Sequence, residues 1–233
     1  MNIKKMIGMC DHTDEFWKQP WPYDYDSERI MIGFLLNDLS LFVKADAILG
    51  RRACDKFSIT NGDILEVLRW MRLNNKECSL EEIVNMVTRS KIRVYDLKKM
   101  KSLAAHAPLP FVFYCYMVAR HEQLRNILSL TRDIAEGAFS CRDPSALQRL
   151  LQSGRIEPAD WKKITEKFPE DVKDVPVFPF GKFSGRPIKE IIHFSPDYIK
   201  WFLSISPSPS SLKQEEFKAI TEYINNNQNE KKL

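Results

Sequence analysis

The architecture of this chain is set by FVFYCYMVARHEQLRNILSLTRDIAEGA, residues 111–138. Its first nine residues are apolar almost all round, which is typical of a helix buried in a bundle or in a subunit contact. In its second half the apolar residues narrow to a stripe with a spacing close to that of a coiled-coil seam. The stretch therefore predicts one long helix. We expect a second copy of the chain to contact that helix through Tyr116, Leu124, Ile127, Leu128 and Ile134.

Helical patterns continue upstream of this stretch. Apolar residues recur at helical spacing over residues 27–49, and Gly50 supplies a stop. The next helix opens at Thr60 or Asn61, either of which can cap a first turn. Ser-Leu-Glu-Glu at residues 79–82 is a capping box and predicts another helix start. The fold class is therefore mainly α.

Breaks in these patterns divide the chain. Near the C-terminus, Val177 and Phe178 lead into a turn that runs from Lys182 to Gly185, which predicts a short β-hairpin followed by helices in a small α+β module. Pro158, Pro169 and Pro176 lie in a charged stretch that predicts a linker before this module. The predicted segments are a flexible aromatic and acidic arm at 1–26, a helical domain at 27–154, a linker with one short helix at 155–176, the module at 177–226 and a disordered tail at 227–233.

The composition narrows the class of protein. The chain has 233 residues, 44% of them hydrophobic, which suffices for one large or two small cores. The net charge of +4 is slight, but residues 31–155 hold 19 basic against 13 acidic residues. The five cysteines form no CxxC pair, and no apolar run approaches the roughly 18 residues of a membrane span. We therefore expect a soluble cytoplasmic protein without disulfides, membrane contact or a cofactor.

Residues 27–153 resemble the N-terminal domain of bacterial replicative hexameric helicases of the DnaB type. Three phrases carry the resemblance, in the family's order and at about its spacing: SERIMIGFLLND at 27–38, DKFSITNGDILEVLRWMRLNNKECSLEEIVNMV at 55–87, and YCYMVARHEQLRNILSLTRDIAEGAF at 114–139. The chain departs from the family at residues 58–62, where an aromatic and a His-Arg pair are usual. The resemblance implies a helical bundle with a long helical hairpin, in a dimerising module that forms the helicase collar and is met by primase.

In that family the domain precedes a RecA-type ATPase, whereas GxxxxGK[ST] does not occur in this sequence. We therefore expect no helicase motor. The expected function is that of a non-enzymatic DNA replication accessory protein, from a phage or another mobile element, whose partner is the replicative helicase or primase. An inhibitor that mimics the collar remains an alternative.

The module contains FPFGKFSGRP, residues 178–187, whose glycines and lysine stand in the wrong order for a phosphate-binding P-loop. Residues 177–204 resemble the small C-terminal domain of exodeoxyribonuclease X-type proteins, which is noncatalytic there, and the resemblance implies contact with nucleic acid. Cations beside an aromatic ring suit that role, although the same cations would also decorate a plain turn. The expected DNA-binding residues are Lys182, Phe183, Arg186 and Lys189, together with Arg51 and Arg52 between two helices.

Metal and catalytic chemistry find little support in the sequence patterns. The Cys-Asp-His triplet at residues 10–12 has no second ligand pair at metal spacing. Cys115 and His121 lie six residues apart and hence on different faces of one helix, and His193 reads as a cap-region histidine. We expect neither a metal site nor a catalytic residue. The alternative of a DNA-processing nuclease would need dispersed carboxylates such as Asp11, Asp14 and Glu15.

Overall fold

A computed structural model describes residues 23–50, 56–87, 90–139, 160–204 and 214–229 of the chain. Within these residues the secondary structure is helical, which confirms the mainly α fold class. The helices are α1 Tyr25–Asn37, α2 Phe42–Leu49, α3 Ile59–Leu73, α4 Leu80–Met86, α5 Val94–Ala105, α6 Phe111–Phe139, α7 Trp161–Lys167, α8 Pro169–Val172, α9 Ile188–Phe194, α10 Pro196–Ser204 and α11 Gln214–Asn229. None of the helices described combines the length and apolar content that a membrane span requires.

The predicted helix ends agree closely with the observed ones. Gly50 follows α2 with a φ of 79°, a conformation that favours glycine. Ser79 caps α4, because its Oγ accepts a hydrogen bond from the Glu82 N–H at 3.4 Å. Helix α1 begins at Tyr25 with Asp24 as its cap. Residues 24–26, which the sequence assigns to the flexible arm, are therefore part of the helical bundle.

The core of the bundle surrounds the first half of α6, where residues 111–119 are buried. Helix α1 packs along α5 and against α6, and α2 packs against α6 as well. Gly33 permits the close approach of α1 to α5, since a Cβ built on it would lie 2.0 Å from the Met100 carbonyl oxygen. The long helix is continuous, as predicted. The resemblance assigns a helical hairpin to residues 114–139, but α6 runs through them as a single helix.

The stretch predicted as a linker packs on the bundle in its described part. Trp161, at the start of α7, lies with its ring centroid 5.9 Å from that of Phe113 and 5.1 Å from that of Tyr116. Ile164 and Val172 are also buried in the bundle core. Residues 160–175 therefore extend the helical domain, because their apolar side chains have a core face of α6 to cover.

The C-terminal module has its own core, formed by Phe178, Ile188, Ile191, Ile192, Ile199, Phe202 and Ile224. The predicted β-hairpin is not formed. One antiparallel bridge pairs Val177 with Pro187, and Gly181–Phe183 forms a 3-10 turn. A ladder cannot extend from this bridge because Pro179 and Pro187 have no N–H to donate. Helix α11 continues to Asn229, three residues into the tail that the sequence predicts as disordered.

Candidate functional site

The exposed face of the module carries the first two predicted DNA-binding residues. Lys182 is exposed and Phe183 is half-buried, and both lie in the 3-10 turn. The Lys182 Nζ lies 5.3 Å from the centroid of the Phe183 ring. Gly181 and Gly185, both with a φ of 74°, shape the chain on either side. The turn thus presents a cation beside an aromatic ring.

Two further aromatic rings continue this face, and we call Phe183, Tyr198 and Trp201 the aromatic row. Ring centroids are 4.7 Å apart for Phe183 and Tyr198 and 5.0 Å apart for Tyr198 and Trp201. Trp201 is half exposed (50%), although it lies in the apolar helix α10. Residues three apart share a helix face, so Ile199 and Phe202 occupy the inner face of α10 and turn Trp201 outward.

Arg186 has a structural partner. Its Nη1 lies 3.2 Å from Oε1 of Glu190, a side chain that is only 1% exposed. The same carboxylate oxygen is 3.5 Å from Nε of Arg120 on α6. Arg186 and Arg120 therefore neutralise a carboxylate buried between the module and the long helix. This placement makes Arg186 part of a structural ion-pair network next to the Lys182 turn.

The structure places the remaining predicted DNA-binding residues elsewhere. Lys189 lines a cleft between the module and the bundle, with a volume of about 670 Å³. Arg51 and Arg52 lie outside the described residues. The nuclease carboxylates Asp11, Asp14 and Glu15 also lie outside them. The structure therefore brings together Lys182, Phe183 and the neighbouring Arg186.

His193 lines this cleft and contacts a buried histidine, His121, to which the sequence patterns do not connect it. His121 on α6 and His193 on α9 approach to 3.2 Å between their Nε2 atoms. The Nδ1–H of His121 donates a hydrogen bond to the Met117 carbonyl at 3.0 Å. Burial lowers the pKa of His121, which favours its neutral form. Seventy-two residues separate the two histidines, so spacing rules that rely on short motifs do not detect the pair.

Asp24 completes a group with metal-ligating side chains. Its Oδ2 lies 3.9 Å from His121 Nδ1, and one ligand atom from each of Asp24, His121 and His193 lies within 4.8 Å of the other two. His121 is buried, Asp24 is half-buried and His193 is exposed at the cleft. Two imidazoles and one carboxylate are the donor types found at zinc and other divalent transition-metal sites.

The five residues predicted to contact a second copy of the chain differ in how far they are buried. Tyr116 is 1% exposed and packs on Trp161, so a second copy cannot reach it. Ile127 is 48% exposed, and Leu124, Leu128 and Ile134 are half-buried. The second half of α6 therefore carries an apolar stripe that is only partly covered by the described residues.

Comparison with protein-family models gives no match, and comparison with curated proteins gives none either.

Proposed function

We propose that this protein is a non-enzymatic accessory of DNA replication that holds nucleic acid with its C-terminal module and meets a replicative helicase or primase with its helical domain. The observation that carries the nucleic-acid part is the aromatic row, with Lys182 at one end and Lys200 near the other. The partner part rests on the resemblance to the DnaB-type collar domain and on the mainly helical fold.

The aromatic row suits single-stranded nucleic acid. Bases stack on exposed aromatic faces without regard to sequence, and nearby cations neutralise phosphates. Trp201 offers the most exposed ring of the row. Lys200 pairs with Asp197 at 3.0 Å, but both side chains are largely exposed, so this ion pair adds little stability and can give way to a phosphate.

We predict that Trp201→Ala weakens single-stranded DNA binding by roughly 5- to 150-fold, the equivalent of about 1–3 kcal/mol for one stacked base. The measurement is fluorescence anisotropy with a labelled oligonucleotide of mixed sequence. Trp70→Ala is the matched control, because Trp70 is a similarly exposed tryptophan on α3 of the bundle. In the same assay we define the salt slope as the fall in the logarithm of the binding constant per unit rise in the logarithm of the salt concentration. Lys182→Ala with Lys200→Ala should reduce this slope by about 1.4, since each phosphate contact to a single strand contributes about 0.7.

Equal losses for Trp201→Ala and Trp70→Ala would contradict the aromatic row as the binding surface. Lys218→Ala controls for charge, because Lys218 is an exposed lysine of the module that pairs with Glu222 on α11. The double variant removes two lysines and this control removes one. If the control lowers the salt slope by half as much as the double variant does, only net charge matters and the position of the lysines does not.

The stripe on the second half of α6 suits self-association, since half-exposed apolar residues at a coiled-coil spacing gain burial when a second helix covers them. We predict that Ile127→Asp converts a dimer to a monomer in analytical ultracentrifugation and reduces capture of the replicative helicase or primase in a pull-down. Ser129→Asp adds the same charge at an exposed position two residues away and should change neither result. A wild-type protein that is monomeric and captures neither partner would overturn the partner proposal.

The alternative role, an inhibitor that mimics the helicase collar, also predicts capture of the helicase or primase. The two roles differ in their effect on the captured partner. An accessory supports unwinding or primer synthesis when it is added to the captured helicase, whereas a mimic slows them. A helicase assay with added wild-type protein and added Ile127→Asp protein separates the two roles, because only the competent binder should change the rate.

A further inference from the structure

We propose that Asp24, His121 and His193 form a binding site for one divalent transition-metal ion of the zinc class, which fastens the C-terminal module to the helical domain. The three residues come from separate elements: Asp24 caps α1, His121 lies in the long helix α6, and His193 lies in the last turn of α9. A shared ion would therefore join the module to two helices of the bundle. This role goes beyond nucleic-acid or partner binding and does not depend on either.

The spacing of the two imidazoles fits a tetrahedral ion. With metal–nitrogen bonds of about 2.0–2.1 Å, two nitrogens on a tetrahedral centre stand roughly 3.3–3.4 Å apart. The two Nε2 atoms are 3.2 Å apart, so they need almost no movement. Asp24 offers a carboxylate oxygen within 4.8 Å of a ring nitrogen of each histidine, and it would have to move toward the two Nε2 atoms to share the ion.

The hydrogen bond that His121 makes leaves its Nε2 for a metal. The Nδ1 of His121 carries a proton, since it donates to the Met117 carbonyl, and neutral His121 therefore has its lone pair on Nε2. A backbone carbonyl on the other ring nitrogen is the usual outer contact of a metal-bound histidine. The Asp24 carboxylate accepts hydrogen bonds from the Ser27 N–H at 3.1 Å and the Ser27 hydroxyl at 2.6 Å, and each of its oxygens keeps a further lone pair that can bind a metal.

Charged groups at and near the three proposed ligands include two arginines and two aspartates. Arg120 is engaged by buried Glu190 and stands over the Phe194 ring, and Arg125 donates to the Lys56 carbonyl. Asp24 supplies the one negative charge of the ligand set, and the exposed carboxylate of Asp26 lines the same cleft. Three protein ligands leave a fourth position for water, which the cleft supplies.

The experiment uses the full chain after treatment with a chelator. Calorimetric titration with Zn²⁺ should show one equivalent bound, and Co²⁺ in its place should give the visible absorption of a tetrahedral site. His193→Ala should abolish both signals and the rise in melting temperature that Zn²⁺ produces. Because His193 is exposed, this variant should fold, and circular dichroism checks that it does.

His106→Ala is the matched control. His106 lines the same cleft and has its Nδ1 2.8 Å from the Ser102 carbonyl, yet it lies outside the ligand group and its loss should leave metal uptake unchanged. Asp24→Asn should weaken Zn²⁺ binding without changing the stoichiometry. Two results would overturn the site: no stoichiometric uptake by the wild-type chain, which would leave the histidines as a simple hydrogen-bonded pair, or uptake that His193→Ala does not reduce.

Discussion

Replacing Gly33 with alanine is expected to destabilise the helical domain by about 3 kcal/mol or more, although alanine favours helices over glycine by about 1 kcal/mol. The new Cβ would lie 2.0 Å from the carbonyl oxygen and 2.7 Å from the carbonyl carbon of Met100. These are backbone atoms of α5, which cannot turn aside as a side chain can. Helices α1 and α5 would therefore have to separate along their contact. Denaturant unfolding followed by circular dichroism measures the loss.

Two variants check this explanation. Arg29→Ala changes an exposed position of the same helix and should alter the free energy of unfolding little. Gly33→Ala combined with Ala104→Gly removes the third close atom, the Ala104 Cβ at 2.9 Å, but leaves the backbone clash. Recovery of stability in the double variant would show that the side chain, and not the Met100 backbone, limits the approach.

The sequence predicts the helices well because their ends are local. Gly50 and Ser79 act through bonds to their own helix, and both helices end or begin where these residues predict. The entry to α3 is different. It starts at Ile59, before the predicted Thr60 or Asn61, and the preceding Ser58 makes no side-chain cap because its hydroxyl donates to Glu28. A contact with another helix thus replaces the local cap.

The candidate sites are less predictable because they depend on tertiary contacts. The turn motif identifies Lys182 and Phe183, but the exposure of Trp201 follows from which face of α10 meets the module core. The partner of Arg186 is Glu190, whose burial depends on docking of the module against Arg120 of the long helix. The His121–His193 pair has no sequence signal at all, since it forms only when the module rests on α6.

Glu28→Ala is expected to cost about 3 kcal/mol or more, because three donors lose their acceptor inside the bundle. The Glu28 carboxylate is buried and accepts hydrogen bonds from the Ser58 N–H at 3.1 Å, the Ser58 hydroxyl at 2.7 Å and the Asn61 amide at 2.7 Å. These bonds tie α1 to the first turn of α3. Denaturant unfolding should show the loss, whereas Glu66→Ala, at an exposed position of α3, should change the free energy of unfolding little.

The charge of Glu28 also predicts how stability depends on pH. Burial raises its pKa above the ordinary 4.5, outweighing the opposing effects of the Ser58 and Asn61 hydrogen bonds and of the Arg125 charge. A carboxyl with a raised folded-state pKa contributes stability that is fully present below its unfolded pKa and is lost as the pH rises through the folded value. Glu28→Gln removes this titration while keeping an acceptor oxygen. The free energy of unfolding of the wild-type protein, measured relative to Glu28→Gln, should therefore fall as the pH rises above about 4.5, the ordinary pKa of a glutamate side chain. A difference that grows with pH would show instead that the hydrogen bonds to the ionised carboxylate outweigh its burial.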